Sequence, residues 1–392
     1  MHTAVLMATW ATVRTRGRKR VGSRLVSALV VAGTVLAGLA LLTLSFFPGS
    51  PGCTGAGAAG TLMPRMRVVA SRLYAGRRQW RAWGFNWGLG DHSPVIDYFD
   101  NPTSANLAVL ACELHTAHQL GANSMRIPLE LQQVMRGPNA TRSSTLTALR
   151  RLLDLAAREG VYLDITGNLV WRPQRAPDWY ERMNERDRWQ VQANFWRAVA
   201  HTAAESPAVL CYELTSEPLL SDTPGWYTGE YGGWWFGQII AHPRARNTHQ
   251  LVRAWTGLLA AAVRSQDDRP VTIGLMPGIK DGFTPANVAD LLDMLVIHQY
   301  PQTGRVGEAI APIRYHASFN KPVLLGETYP LASDMPTQRA FLTRANRYVV
   351  GVFEFFDGRD PNHLTIKTTA DSLQEHALAQ FVTLRRTILK PR

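Results

Sequence analysis

Cysteine is scarce: Cys53, Cys112 and Cys211 are the only three in 392 residues. No two of them have CxxC spacing, which excludes a disulfide framework and a paired-CxxC zinc site. Coenzyme signatures are missing too. Gly88 and Gly90 lack the third glycine of a dinucleotide loop, and the chain has neither a GxSxG elbow nor an HExxH helix. Low-complexity and heptad patterns are absent; with 46% hydrophobic and 18% charged residues the chain can bury a large core. Acidic residues are the minority charge, 30 against 42 Lys and Arg, for a formal balance of +12. Half of that excess lies in residues 1–24, which hold Arg14, Arg16, Arg18, Lys19, Arg20 and Arg24 and no acid. The remainder is spread without a basic-aromatic motif, so nucleic acid is not an expected partner.

Long apolar runs are rare, with one exception. Leu25 to Phe47 is 23 residues without a charge. At 1.5 Å per residue it spans ~34 Å, enough for a bilayer core of ~30 Å. The basic segment before it places the N-terminus in the cytoplasm and the rest of the chain outside. The expectation is a single N-terminal transmembrane helix tethering an external domain; a long cleaved signal peptide, giving a secreted protein, is the competing reading. Residues 48–80 begin with a Pro/Gly/Ala-rich spacer and read as linker and lead-in.

From residue 81 to 392, short apolar runs alternate with amphipathic stretches. The strand-like runs are Trp83 to Trp87, Ser124 to Pro128, Tyr162 to Thr166, Val209 to Leu214, Val271 to Leu275, Met294 to His298, Val323 to Gly326 and Gly351 to Phe356. Helical patterns follow them at 104–120, 145–159, 185–205, 248–266, 285–292, 306–318, 336–348 and 372–389. Gly121 and Gly160 sit where helices should stop. Eight near-continuous apolar strands, each followed by a helix, predict an α/β fold of the (β/α)8 TIM-barrel type forming one domain.

In such a barrel, chemistry gathers at the C-terminal ends of the strands. Those ends carry Asn86, Trp87, Arg126, Asn168, Trp171, Glu217, His298, Tyr300, Glu327, Phe355 and Asp357. Glu217 and Glu327 would face each other across the mouth. Glycoside hydrolysis needs such a pair, one protonated to donate to the leaving oxygen and one ionised to attack the anomeric carbon. Arg126 and Tyr300 favour an ionised carboxylate nearby, which suits Glu327 as nucleophile.

These residues lie in Gly84-Phe85-Asn86-Trp87, Asn123-Ser124-Met125-Arg126-Ile127-Pro128, Ser216-Glu217-Pro218, Ile297-His298-Gln299-Tyr300-Pro301 and Lys321-Pro322-Val323-Leu324-Leu325-Gly326-Glu327. In these motifs the chain resembles the cellulase-like glycoside hydrolases of family 5 and their clan A relatives, from about Trp83 to Asp357. The resemblance implies a (β/α)8 fold and net retention of configuration, with no metal or coenzyme. It also implies Glu217 as acid/base, Glu327 as nucleophile, Arg126 and Tyr300 supporting that nucleophile, and His298 lining the site.

Three departures mark a divergent branch. Ser216 stands where the family usually has an asparagine contacting the sugar 2-hydroxyl. Thr166-Gly167-Asn168 replaces a histidine after the third strand, with Asn168 as a substitute polar contact. Phe355 or Phe356 replaces the sugar-platform tryptophan of the eighth. Trp171, and a cluster between Pro218 and Asn247 (Trp226, Tyr227, Tyr231, Trp234, Trp235, Phe236), read either as sugar subsites or as a small core pinning the loop. The expected activity is cleavage of O-glycosidic bonds in a β-linked polysaccharide or oligosaccharide. A glycan-binding barrel of weakened activity and a transglycosylase are the rivals.

Overall fold

The apolar runs pair side by side into one parallel sheet that closes on itself. The computed structural model describes residues 63–87, 93–168, 176–218, 239–240, 246–278, 282–356 and 369–388. The chain opens with three short strands, β1 (Met66–Val69), β2 (Arg72–Ala75) and β3 (Arg78–Trp80). It continues through β4 (Ala82–Trp87), α1 (Pro94–Asp100), α2 (Ser104–Gln119), β5 (Ser124–Glu130), α3 (Leu131–Val134), β6 (Met135–Gly137), β7 (Ala140–Thr141) and α4 (Ser143–Glu159). Next come β8 (Tyr162–Asn168), α5 (Asp178–Glu181), α6 (Glu185–Ala203), β9 (Val209–Ser216) and α7 (Thr248–Arg264). The last elements are β10 (Val271–Leu275), α8 (Pro285–Val288), β11 (Leu295–His298), α9 (Val306–Ala317), β12 (Val323–Glu327), α10 (Met335–Ala345), β13 (Gly351–Phe356) and α11 (Thr369–Ile388). The barrel is closed in the order β10-β11-β12-β13-β4-β5-β8-β9.

Local chemistry sets the helix boundaries. The side chains of Thr103, Asn184, Asn247 and Asp334 each accept from a backbone N–H three residues on, capping α2, α6, α7 and α10. Gly160 ends α4 in the left-handed region at φ 70°.

Alternation along each strand divides the core in two. On β4, Trp83, Phe85 and Trp87 face the helices, with Trp83 stacked on Phe381 of α11 at a ring-centroid distance of 3.9 Å. The inward face begins with Ala82, which joins Tyr162, Cys211, Met294, Leu324 and Phe353 at the barrel's lower end. Met66, Leu73 and Ala75 of the β1–β3 sheet pack into that same cluster. Residues 66–80, part of the expected lead-in, therefore form an antiparallel sheet that closes the barrel opposite the strands' C-terminal ends. Tyr162 fastens it by donating from its hydroxyl to the Pro64 carbonyl at 2.5 Å.

Among the described residues no helix is long and apolar enough to cross a membrane. The 25–47 run lies outside the described residues.

Candidate active site

Both glutamates sit beyond a break in strand register. On β12, Leu324 points into the barrel and Leu325 toward the helices, so strict alternation would turn Glu327 outward. Instead Ile297 pairs with Leu325 while the next residue, His298, pairs with Glu327. Gly326 is the extra residue of a β-bulge that re-aims Glu327 inward. On β9 the register runs Thr272 to Glu213 and then Gly274 to Ser216, so a second bulge turns Ser216 toward the interior. Glu217 follows at φ 49°, the left-handed region, with its backbone N–H donating to the Gly274 carbonyl at 2.8 Å. A non-glycine residue there stores on the order of 1–3 kcal/mol of strain, a pattern concentrated at functional sites.

Three side chains surround the Glu327 carboxyl. Arg126 donates from Nη1 to Oε1 at 2.6 Å and Tyr300 donates from its hydroxyl to Oε2 at 2.6 Å. His298 Nδ1 lies 3.4 Å from Oε1. Asn86 holds the network from below, accepting from Arg126 Nη1 at 3.0 Å and donating to the Gly326 carbonyl at 3.0 Å. Burial pushes the Glu327 carboxyl up, but His298, the Arg126 guanidinium and the Tyr300 hydrogen bond outweigh it and hold the group below its ordinary value. Burial and the Glu327 charge push the Tyr300 phenol well up, so it remains a donor.

Glu217 has a different environment. Its side chain is 25% exposed against 7% for Glu327, and its Oε1 lies 2.9 Å from His298 Nδ1. Burial pulls the His298 imidazole down, but Glu327 and the hydrogen bond to Glu217 overcome this and raise it. The ring edge of His298 lies against Gly326 and Gly274. A Cβ on Gly274 would sit 2.7 Å from Glu213 Oε1 and 2.9 Å from His298 Nε2, closer than side chains approach.

One donor atom each from Glu217, His298 and Glu327 lies within 4.8 Å of the others, a spacing compatible with a bridging cation. Both Glu327 oxygens, however, already accept strong hydrogen bonds, from Arg126 and Tyr300.

Of the residues expected at the site, the fold brings together Arg126, Ser216, Glu217, His298, Tyr300 and Glu327. Ser216 is turned inward, its Oγ accepting from Arg126 Nη2 at 2.8 Å. Trp87 is buried among the helices, donating through Nε1 to Glu113 at 2.5 Å rather than facing the mouth. Phe356 likewise packs outward, stacked on Phe85. Phe355 is the inward residue, parallel to Tyr300 at 6.5 Å. Asn168 closes β8, while Trp171, Asp357 and the aromatic cluster at 226–236 lie outside the described residues.

Asn86, expected at the end of its strand, joins the site through Arg126, and two contributors were not among the expected site residues: Glu213 and Asp164. Glu213 accepts from Arg126 Nη2 at 2.5 Å and, like Asp164, is fully buried. Their signal was available in the sequence, since each is a lone carboxylate inside an apolar strand that a barrel buries on both faces.

No protein-family model matches the chain, and no curated protein sequence matches it. Solved structures do resemble it. An exo-β-1,4-mannosidase from Opitutaceae bacterium strain TAV5 superposes with TM-score 0.59 at 17% identity, over 79% of this chain and 60% of that one. The β-mannanase of the blue mussel Mytilus edulis gives 0.57 at 14% identity, over 83% and 97%. The β-1,4-D-mannanase of Cryptopygus antarcticus gives 0.58 at 15%, over 82% and 94%. At these identities the likeness is one of fold, and the chain shares the (β/α)8 barrel of these glycoside-cleaving proteins.

Proposed function

We propose that the protein is a retaining glycoside hydrolase of the family 5 type that acts on β-linked glycans. The observation that carries this reading is the pair of carboxyls at the barrel mouth, their nearest oxygens within 4.8 Å, in unlike surroundings. Retaining enzymes place the two groups ~5–5.5 Å apart, too close for a water to stand between them. Glu327, buried and bound by Arg126 and Tyr300, is the nucleophile. Glu217, more exposed and beside His298, is the group that exchanges protons with the leaving oxygen and then with water. In the first step the Glu327–C1 bond forms as the C1–O bond breaks, and the leaving oxygen takes its proton from Glu217. In the second, Glu217 takes a proton from water as that water displaces Glu327.

The names of the structural neighbours support β-mannosides as the first substrates to try. The apolar 25–47 run behind a basic segment supports an enzyme tethered to a membrane and facing outward. A glycan-binding barrel without turnover is the second reading, favoured by Ser216, whose short hydroxyl already accepts from Arg126. Reducing-end release from mannans, β-glucans and xylans, with Glu327→Ala alongside, tests the choice. The hydrolase predicts release that vanishes in the variant; binding by both proteins with release by neither refutes it. Products longer than the starting oligosaccharide would mark transglycosylation.

A further inference from the structure

The Arg126 guanidinium is held by four acceptors, not one. Nη1 donates to Glu327 Oε1 at 2.6 Å and Asn86 Oδ1 at 3.0 Å; Nη2 donates to Glu213 Oε1 at 2.5 Å and Ser216 Oγ at 2.8 Å. The Arg126 side chain is 4% exposed and that of Glu213 is 0%. A planar guanidinium bound on both ends in this way has no freedom to turn its full charge toward either carboxylate. The space for Glu213 exists because residue 274 has no side chain: a Cβ there would lie 2.7 Å from Glu213 Oε1.

We propose that Glu213, from inside the barrel, is a positioning residue for the nucleophile: it divides the charge of Arg126 between two carboxylates and keeps Glu327 from being over-stabilised. This rests on the glycosidase reading for its kinetic meaning, but the division of charge does not. Asp164 faces the same pair, opposite Arg126 in strand register, with Thr166 beyond it opposite Glu213. Burial and the adjoining Glu213 push its carboxyl well up, which favours its protonated form. When Glu327 becomes a glycosyl ester it loses its charge. Glu213 then remains as the counter-ion of Arg126, which would otherwise be an unpaired buried cation.

Glu213→Gln preserves size and the acceptor oxygen but removes the charge. The whole Arg126 charge then bears on Glu327, so its protonation moves to lower pH by on the order of one unit. The direct test is the carboxyl 13C titration of Glu327 in glutamate-labelled protein, assigned by its loss in Glu327→Gln. A downward shift in Glu213→Gln is expected; an unchanged or raised titration in the folded variant overturns the proposal. A merely structural role would lower activity without moving this titration. A second readout needs no variant: in the parent protein the Glu213 signal should be displaced over the same pH interval in which Glu327 gains its proton, and independent behaviour of the two signals also overturns it. On an aryl β-mannoside the acid limb of kcat/KM should follow the titration. If the parent protein cleaves no glycoside the functional reading fails, while the titration still decides this inference.

Discussion

Removing the Tyr300 hydroxyl should move the nucleophile's titration in the opposite direction. In Tyr300→Phe the ring keeps its place beside Phe355, but Glu327 Oε2 loses a hydrogen bond of 2.6 Å. A bond to a charged, buried acceptor is worth ~1.5–3 kcal/mol, and 1.36 kcal/mol corresponds to one pH unit, so the shift is about 1–2 units. Its sign follows from which form the donor favours. The phenol stabilises the carboxylate, so its loss favours the protonated acid and raises the pKa of Glu327. Because kcat/KM reports the free enzyme, its acid limb should rise by that amount when an aryl β-mannoside is assayed from about pH 3 to 8. An acid limb that stays in place or moves lower in a folded Tyr300→Phe protein would refute the assignment of Glu327 as the group that must be ionised.

Further outcomes follow from packing and from buried titratable groups. Gly274→Ala forces a Cβ against Glu213 Oε1 and His298 Nε2, and should lower denaturant stability by ~1–3 kcal/mol together with activity; an unchanged midpoint would show that the site is not packed this tightly. Leu73→Ala, at a fully buried position in the sheet that closes the barrel, should cost ~2–5 kcal/mol in the same measurement. His316 is buried with Nδ1 donating to the Pro312 carbonyl at 2.8 Å, and burial lowers its pKa to about 4. The neutral ring's contribution is complete above the unfolded value of ~6.5 and is lost as pH falls toward 4, by about 3 kcal/mol in all. His316→Gln should lose less stability than the parent between about pH 7 and 4.5. Burial pushes the Asp164 and Glu354 carboxyls well up, which acts oppositely in both proteins, so the difference between variant and parent is the decisive quantity.

The barrel was readable because its strands are buried on both faces and appear as unbroken apolar runs. Val271–Leu275 and Gly351–Phe356 have the boundaries expected from the sequence, and the others differ by a few residues at their ends. The β1–β3 sheet was not readable. Its strands are three or four residues long, arginine-bearing and mostly exposed or half-buried, with only Met66, Leu73 and Ala75 buried. Leu73 gains its meaning from the open end of a barrel formed by distant sequence. The site divides in the same way. Residue types and strand ends pointed to Glu217, Glu327, Arg126 and Tyr300, whereas inward or outward aim depends on register, which a one-residue bulge reverses. Trp87 faces the helices by ordinary alternation along β4, and Glu327 faces inward only because Gly326 interrupts it.

The most direct test of the central claim is to trap the covalent intermediate. Incubation with a 2-deoxy-2-fluoro β-mannoside carrying a good leaving group, followed by peptide mass spectrometry, should find the fluorosugar esterified to Glu327. An ester on Glu217, or an unlabelled Glu327 in a protein that turns over β-mannosides, would contradict the account.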